Sequence, residues 1–518
     1  MGNGVKYPIG EQDFKNLRNG GNLYVDKTRF IDRMLSEGGK YYFLARPRRF
    51  GKSLFLSTLQ YFFEGYRDLF KGLYIHSTPY EWKEYPVLHL DLNRERYAET
   101  GLLEPVLDKI FDEWEEKYDV KTKYTNPPQR FEAIIQAAHE KTGQQVVILV
   151  DEYDKPLVGN LNNTESFEHY TSKLAALYTT FKSASDHIRL VFLTGVTRFS
   201  KLSVFSDLNN IRDISFSNEY ADICGVTIAE LDNYFQDGIR KLADTECISF
   251  EECLRLLKEN YDGYRFAEHG SEIYNPWSLL NAMAELKIQD YWNDTGYPTI
   301  VAETLKRIDV DLRDFFDSYC SEKDLKGLDL LNPDPTALLY QTGYLTIKEY
   351  VAKIKRYRLG IPNNEVKSGM FDILLPYYVK TKSNAPNKIV QDIVTNFILG
   401  KPDKAMSALQ TYFAGIDYAL RIENENNFQN AFFLLMDLIG LETSVEAHTS
   451  DGRIDIEIKT QDFIYIIELK YDHPAEEALK QIELKKYGRK YQLDSRRLFM
   501  IGASFSSKTR CIEDWKIA

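Results

Sequence analysis

YYFLARPRRFGKSLFLSTLQYFF, residues 41–63, decides how the rest of the chain is read. Its first five residues are apolar or aromatic and predict a buried strand, while Phe55, Leu56, Leu59, Phe62 and Phe63 recur at helical spacing. Between them lie a basic loop and the tripeptide Gly51, Lys52, Ser53. At such a helix start the backbone N–H groups are unpaired and carry the positive end of the helix dipole, so they suit phosphate oxygens. Lys52 is expected to reach the β- and γ-phosphates of a nucleotide and the Ser53 hydroxyl to ligate Mg2+. The pattern GxxxxGK[ST] asks for glycine where Arg46 stands. The loop is therefore stiffer and more basic than usual: either Arg46, Arg48 and Arg49 add to phosphate binding, or tight nucleotide affinity is lost. The candidate nucleotide-binding residues are Arg46, Pro47, Arg48, Arg49, Phe50, Gly51, Lys52, Ser53 and Leu54.

Outward from this loop, PVLHLDL (86–92), QVVILVD (145–151) and IRLVFLTG (188–195) alternate with helical patterns. That alternation predicts a parallel sheet flanked by helices, with ligands outside the carboxyl ends of the strands. VVILVDEYD ends its apolar run in Asp151 and Glu152, a Walker-B arrangement: Asp151 orders the Mg2+ shell and Glu152 activates water. Thr194 could sense the γ-phosphate, and Arg198 or Arg212 could neutralise transition-state charge. The competing reading is that Thr194 caps a strand and the arginines pair with acids such as Asp207 or Asp213. Asp91 either approaches the nucleotide or caps a loop.

Beyond about Tyr220 the pattern turns helical, with YDGYRF (261–266) and YNPWS (274–278) read as aromatic turn-and-cap packing and a winged-helix hairpin closing the block. The last block reads GRIDIEIKTQDFIYIIELKY. Ile454, Ile456 and Ile458 share one strand face, which leaves Asp455 facing away from the expected core; Glu468 and Lys470, two apart, share a face of the next strand. If the strands pair as a hairpin, Asp455 approaches Glu468. Two hard carboxylates that hold a metal and a lysine that orients water are what a Mg2+-dependent phosphodiester hydrolase needs, Mn2+ being an alternative ion. The competing reading is a cross-strand charge pair on a solvent face.

The runs YPIGEQDFKNLRNGGNLYVDKT, RPRRFGKS, DEYDKP and TGVTRFSKLSVFSDLNN together resemble the AAA-ATPase-like family of prokaryotic proteins whose C-terminus carries a PD-(D/E)XK nuclease-like domain. The resemblance covers most of the chain and shares the missing first glycine. It implies an ATP-binding module with the DEYD acids as its Walker-B residues, and it implies that Asp455, Glu468 and Lys470 are a nuclease core. It further implies an acid from the preceding helix, with Glu425 the candidate metal ligand and Glu446 its competitor, and a glutamine near the site, Gln481, in the pattern QIELKKY that ends at Tyr487.

With 518 residues, the chain is too long for one core. The fold expected is α/β multidomain: a P-loop ATPase domain (1–218), a mainly helical middle domain (219–360), a helical connector (361–416) and a restriction-endonuclease-like α/β domain (417–518). A net charge of −12 argues against a protein that coats nucleic acid through its global field, although eleven basic against seven acidic residues from 470 onward suit a phosphate backbone locally. Five cysteines, never spaced CxxC, and no long apolar run predict a cytoplasmic protein with no membrane partner. The partners expected are ATP, nucleic acid and further copies of the chain as a homo-oligomer. The function expected is an ATPase whose nucleotide state controls a metal-dependent nuclease; the alternative is a nucleotide-dependent regulatory switch with an inert nuclease-like domain.

Overall fold

Tyr41–Ala45 forms β1, the strand that feeds the phosphate loop. In the computed structural model it joins β2 (Val87–Asp91), β3 (Val146–Asp151), β4 (Ile188–Gly195) and β5 (Arg212–Asp213) in a sheet of order β2-β3-β4-β1-β5. Every pairing is parallel, so all strands end at one edge. The structure describes residues 5–95, 97, 101–122, 124–160, 163–198, 211–292, 301, 319–327, 334–370, 386–414, 442–449, 452–492, 494–506, 508–509 and 511–518.

The strands are apolar on both sides because helices cover both faces. Helices Leu103–Tyr118, Pro127–Thr142 and Thr164–Ser183 bury Phe111, Phe131 and Tyr178 against Phe43, Leu90 and Ile148. On the opposite face the helix Lys52–Phe63 packs Phe55 against Phe192, their ring centroids 5.7 Å apart.

Residues Met1–Thr304 with Phe315–Lys367 form one compact unit, and Leu305–Asp314 with Ser368–Ala518 a second. Within the first, short helices Ile228–Tyr234, Gln236–Glu246, Phe250–Tyr261 and Pro276–Glu285 close around Leu231, Phe235, Leu257 and Leu279, beside a two-stranded pair of β6 (Val226–Thr227) and β7 (Ile273–Tyr274). Thr227 and Glu230 form a reciprocal capping box that satisfies two N–H groups of the first helix. Where a winged-helix hairpin is expected from the sequence, the chain forms β8 (Tyr319–Cys320), helices Glu322–Lys326 and Pro335–Thr342, then β9 (Thr346–Val351) and β10 (Arg356–Gly360) in antiparallel order β8-β10-β9. The helix Pro335–Thr342 buries Ala337 and Leu338 in the same core as the parallel sheet.

The second unit holds a mixed sheet of β11 (Glu442–Thr449), β12 (Gly452–Lys459), β13 (Phe463–Tyr471), β14 (Arg497–Ser506) and β15 (Cys511–Ile517), in that order. β13 and β14 run parallel and are joined through the helix Ala475–Leu484; the other pairs are antiparallel. Helices Pro386–Ile398 and Pro402–Ala414 cover one face, burying Phe397, Leu409 and Phe413 against Ile456, Tyr465 and Ile467. The stretch read as a connector therefore supplies one layer of this unit's core. Ile466, Ile482 and Tyr487 bury the other face.

Candidate functional site

Gly51 caps the helix Lys52–Phe63 at φ +95°, a left-handed conformation that only glycine takes without strain, and Arg49 is held at φ +66°. The turn folds the loop back so that Lys52 Nζ donates to the carbonyls of Arg46 (3.0 Å) and Pro47 (3.1 Å), closing the loop over its own lysine. Arg48, Arg49, Gly51, Lys52, Ser53 and Glu152 line a cavity of about 410 Å3. Its far wall comes from the N-terminal segment, including Tyr24 and Lys27, and from Trp277, over whose ring the Arg49 guanidinium sits at 4.1 Å. Phe50 and Leu54 complete the loop side, and Phe50 packs edge-on against Tyr264 and Phe266 of the YDGYRF run. Pro47 lies outside that lining and meets Gly343, where a Cβ would come within 2.8 Å of it.

Arg46 corrects the expectation that all three arginines face phosphate. It is 1% exposed, donates to the carbonyls of Ala45, Ser215, Tyr220 and Ala221, and stacks over Phe266 at 4.3 Å. The guanidinium at the missing-glycine position thus ties β1 to the chain that follows β5, and its side chain is turned away from the cavity.

β4 separates β1 from β3, which puts Thr194, its last residue but one, between the loop and the acids. Thr194 donates its hydroxyl to Asp151 Oδ1 at 2.5 Å, and the Glu152 N–H donates to the same oxygen. Thr194 therefore orients Asp151. Glu152 sits at φ +52°, a strained backbone that turns its side chain into the cavity lining. Asp154, the third acid of DEYD, has a structural role that its place in the motif does not reveal. Buried, it accepts from Val196 N, Thr197 N and Thr197 Oγ1, and burial beside Glu152 pushes its carboxyl up to about 6.

Neither arginine finger faces the cavity. Arg198 is ion-paired with Asp213 at 2.8 Å, its N–H bonds Gln341, and Arg212 pairs with Glu37. Both are used inside the unit because acids lie within their reach. Asp91 caps the short helix after β2 through the N–H of Asn93.

In the second unit the ladder of β12 on β13 ends with Ile456 opposite Ile467, and just beyond it Asp455 lies near enough to Glu468 to act on its charge. Asp455 Oδ2 accepts from Leu469 N at 2.9 Å. Glu468 is 1% exposed; its Oε1 accepts from the Gln481 amide and, at 3.5 Å, from Lys470 Nζ, while among the described residues its Oε2 has no hydrogen-bond partner. Burial and the neighbouring Asp455 push Glu468 up to about 7. The Asp455 face is not the solvent face of the competing reading, because the helix Ala475–Leu484 and Tyr487 cover it; Glu457 on that face is buried and paired with Lys459 and Lys490. Gly502, beside Glu468 in register, admits that helix at close range. Tyr487 is a core residue. Glu446 falls on β11, and Glu425 lies outside the described residues.

The donors present suit a hard divalent cation: two carboxylates, one with a buried oxygen that has no partner among the described residues. Among the described residues no three His, Cys, Asp or Glu side chains converge. No described helix is long and apolar enough to cross a membrane.

Two family models match the chain: a predicted AAA-ATPase over residues 8–205 and the PD-(D/E)XK nuclease superfamily over 423–515. A protein of Azotobacter chroococcum mcd 1, described as an uncharacterized protein in the vnfD 5′ region, is 32% identical over 519 residues that cover 98% of each chain. With a phosphate loop and paired acids in one unit and a carboxylate–lysine sheet in the other, this chain belongs to the family of AAA-ATPase-like proteins that carry a C-terminal PD-(D/E)XK nuclease superfamily domain.

Proposed function

We propose that this protein binds and hydrolyses ATP and that its nucleotide state controls a metal-dependent nuclease site acting on nucleic acid. The observation that carries the reading is the buried Glu468, held by Gln481 and Lys470 beside Asp455 with one oxygen unpartnered among the described residues. An unpartnered buried carboxylate oxygen is costly unless something completes it. Asp455 and Glu468 would hold Mg2+ or Mn2+, which when bound supplies positive charge to a phosphodiester and acidifies water. Lys470, about 29% exposed, orients that water, and Gln481 keeps Glu468 in place. At the other site Lys52 and Ser53 serve the phosphates and Mg2+ of ATP, Asp151 is oriented by Thr194, and Glu152 activates water. Arg48 and Arg49 line the same cavity, so transition-state charge can be met without an arginine from a second copy of a homo-oligomer. The free cysteines accord with a cytoplasmic protein.

The test is cleavage of plasmid and single-stranded DNA with Mg2+ or Mn2+, with and without ATP, by the parent chain, Lys470→Ala and Lys52→Ala. The reading requires cleavage lost in Lys470→Ala and ATP sensitivity lost in Lys52→Ala. Absence of cleavage under every condition, with ATP binding retained, replaces it with a nucleotide-dependent switch whose nuclease-like domain is inert.

A further inference from the structure

The hairpin of β9 and β10 carries five basic residues, Lys348, Lys353, Lys355, Arg356 and Arg358, against the single acid Glu349. Two of the five are used locally. Lys348 donates to the Pro362 carbonyl, and Arg358 pairs with Glu349 across the strands. The other three, with Ile354, occupy the exposed tip, and Ile354 is 56% exposed. Among the described residues none of the three tip cations is ion-paired; the acid that acts on Arg356 is Asp324, which Ser321 already holds through its N–H and hydroxyl.

The tip is rigid. Ile354 N and Lys355 N bond back to the carbonyls of Val351 and Ala352, the Tyr350 and Tyr357 rings pack at 4.9 Å across the strands, and β8 supports the outer edge of β10. Lys355 sits at φ +52°, where glycine would lie without strain and a side chain costs about 1 kcal/mol. A strained lysine, an exposed isoleucine and two further cations on a stiff two-stranded ribbon, in a chain of net charge −12, form a local reversal of sign.

We propose that Lys353, Lys355 and Arg356, on the first unit, bind the phosphates of duplex DNA, with Ile354 directed to the base edges. The dimensions favour B-form DNA, whose major groove of about 12 Å admits a two-stranded ribbon. The helix Pro335–Thr342 cannot serve instead, because it is buried against the parallel sheet. This inference rests on the reading that the protein acts on nucleic acid and adds where the first unit grips it.

The test is binding of a fluorescent 30-base-pair DNA duplex to the full chain in EDTA, across 50–200 mM salt. The parent is compared with K353A/K355A/R356A and with K109A/K121A/K182A, which removes the same charge from exposed positions of the ATPase helices and their flanks. The hairpin variant is expected to bind more weakly and to lower the slope of log affinity against log salt by about 3, one for each phosphate that is no longer neutralised. The control variant keeps the parent slope, and ATP binding in all three chains reports folding. Equal affinity and slope in parent and hairpin variant overturn the hairpin's role while leaving the nucleic-acid reading in place. Failure of the parent to bind DNA overturns both.

Discussion

Gly502 lies beside Glu468 in the parallel register of β13 and β14, and a Cβ built on it would come within 2.5 Å of the Ala475 carbonyl and the Leu479 N–H. The close seat of the helix Ala475–Leu484 thus depends on a residue without a side chain, and that seat is what carries Gln481 to Glu468. Gly502→Ala is expected to lift the helix, with a stability loss on the order of 1–3 kcal/mol from overpacking. Cleavage should fall at least tenfold while ATP binding is unchanged. Denaturant unfolding and nucleotide titration of the same variant separate the two effects.

Thr194 and Asp151 share a short hydrogen bond inside the sheet edge. Thr194→Val keeps the shape and removes the donor, leaving Asp151 without its orienting partner at a cost of about 1–3 kcal/mol. ATP turnover should fall about tenfold or more with modest loss of ATP binding, and Thr194→Ser should restore it. Single-turnover hydrolysis measured beside nucleotide affinity checks this.

Arg46 and Arg49 are neighbours in a basic loop with opposite roles. Arg46→Lys cannot reach the four carbonyls that the guanidinium spans, so it should lower the melting temperature of the first unit by several degrees. Arg49→Ala, which removes a cation from the cavity wall, should leave melting nearly unchanged and weaken ATP binding. Thermal unfolding without nucleotide, paired with ATP titration, distinguishes them.

Glu365 is fully buried, accepting from Ser278 Oγ and from the N–H groups of Tyr291 and Trp292, and burial pushes its carboxyl up to about 7. A raised carboxyl binds its proton more tightly in the folded state than in the unfolded one. Its contribution to stability therefore falls as pH rises from about 4.5 to about 7 and is level above that. Glu365→Gln should remove this part of the pH dependence, so that the stability difference between variant and parent changes across that window and not beyond it. The Trp292 indole donates to the Arg48 carbonyl, so the same variant should also change ATP affinity. Urea unfolding at a series of pH values is the measurement.

Local pattern determined much of this protein. Strands 41–45, 146–151 and 188–195, the left-handed Gly51, the DEYD acids and the approach of Asp455 to Glu468 are all set by short-range alternation and spacing, because backbone geometry repeats within a few residues. Partners distant in the chain were decided only by the tertiary structure. Arg46 finds carbonyls some 170 residues away, Arg198 pairs with Asp213, one of the two readings its sequence leaves open, and Asp154 anchors the turn after β4. The helices before residue 414 and the one after Pro474 cover both faces of the C-terminal sheet, so Asp455 lies under a helix. Strand periodicity says which residues share a face; only packing says what covers it, and that cover sets burial, charge state and the chemistry Glu468 can perform.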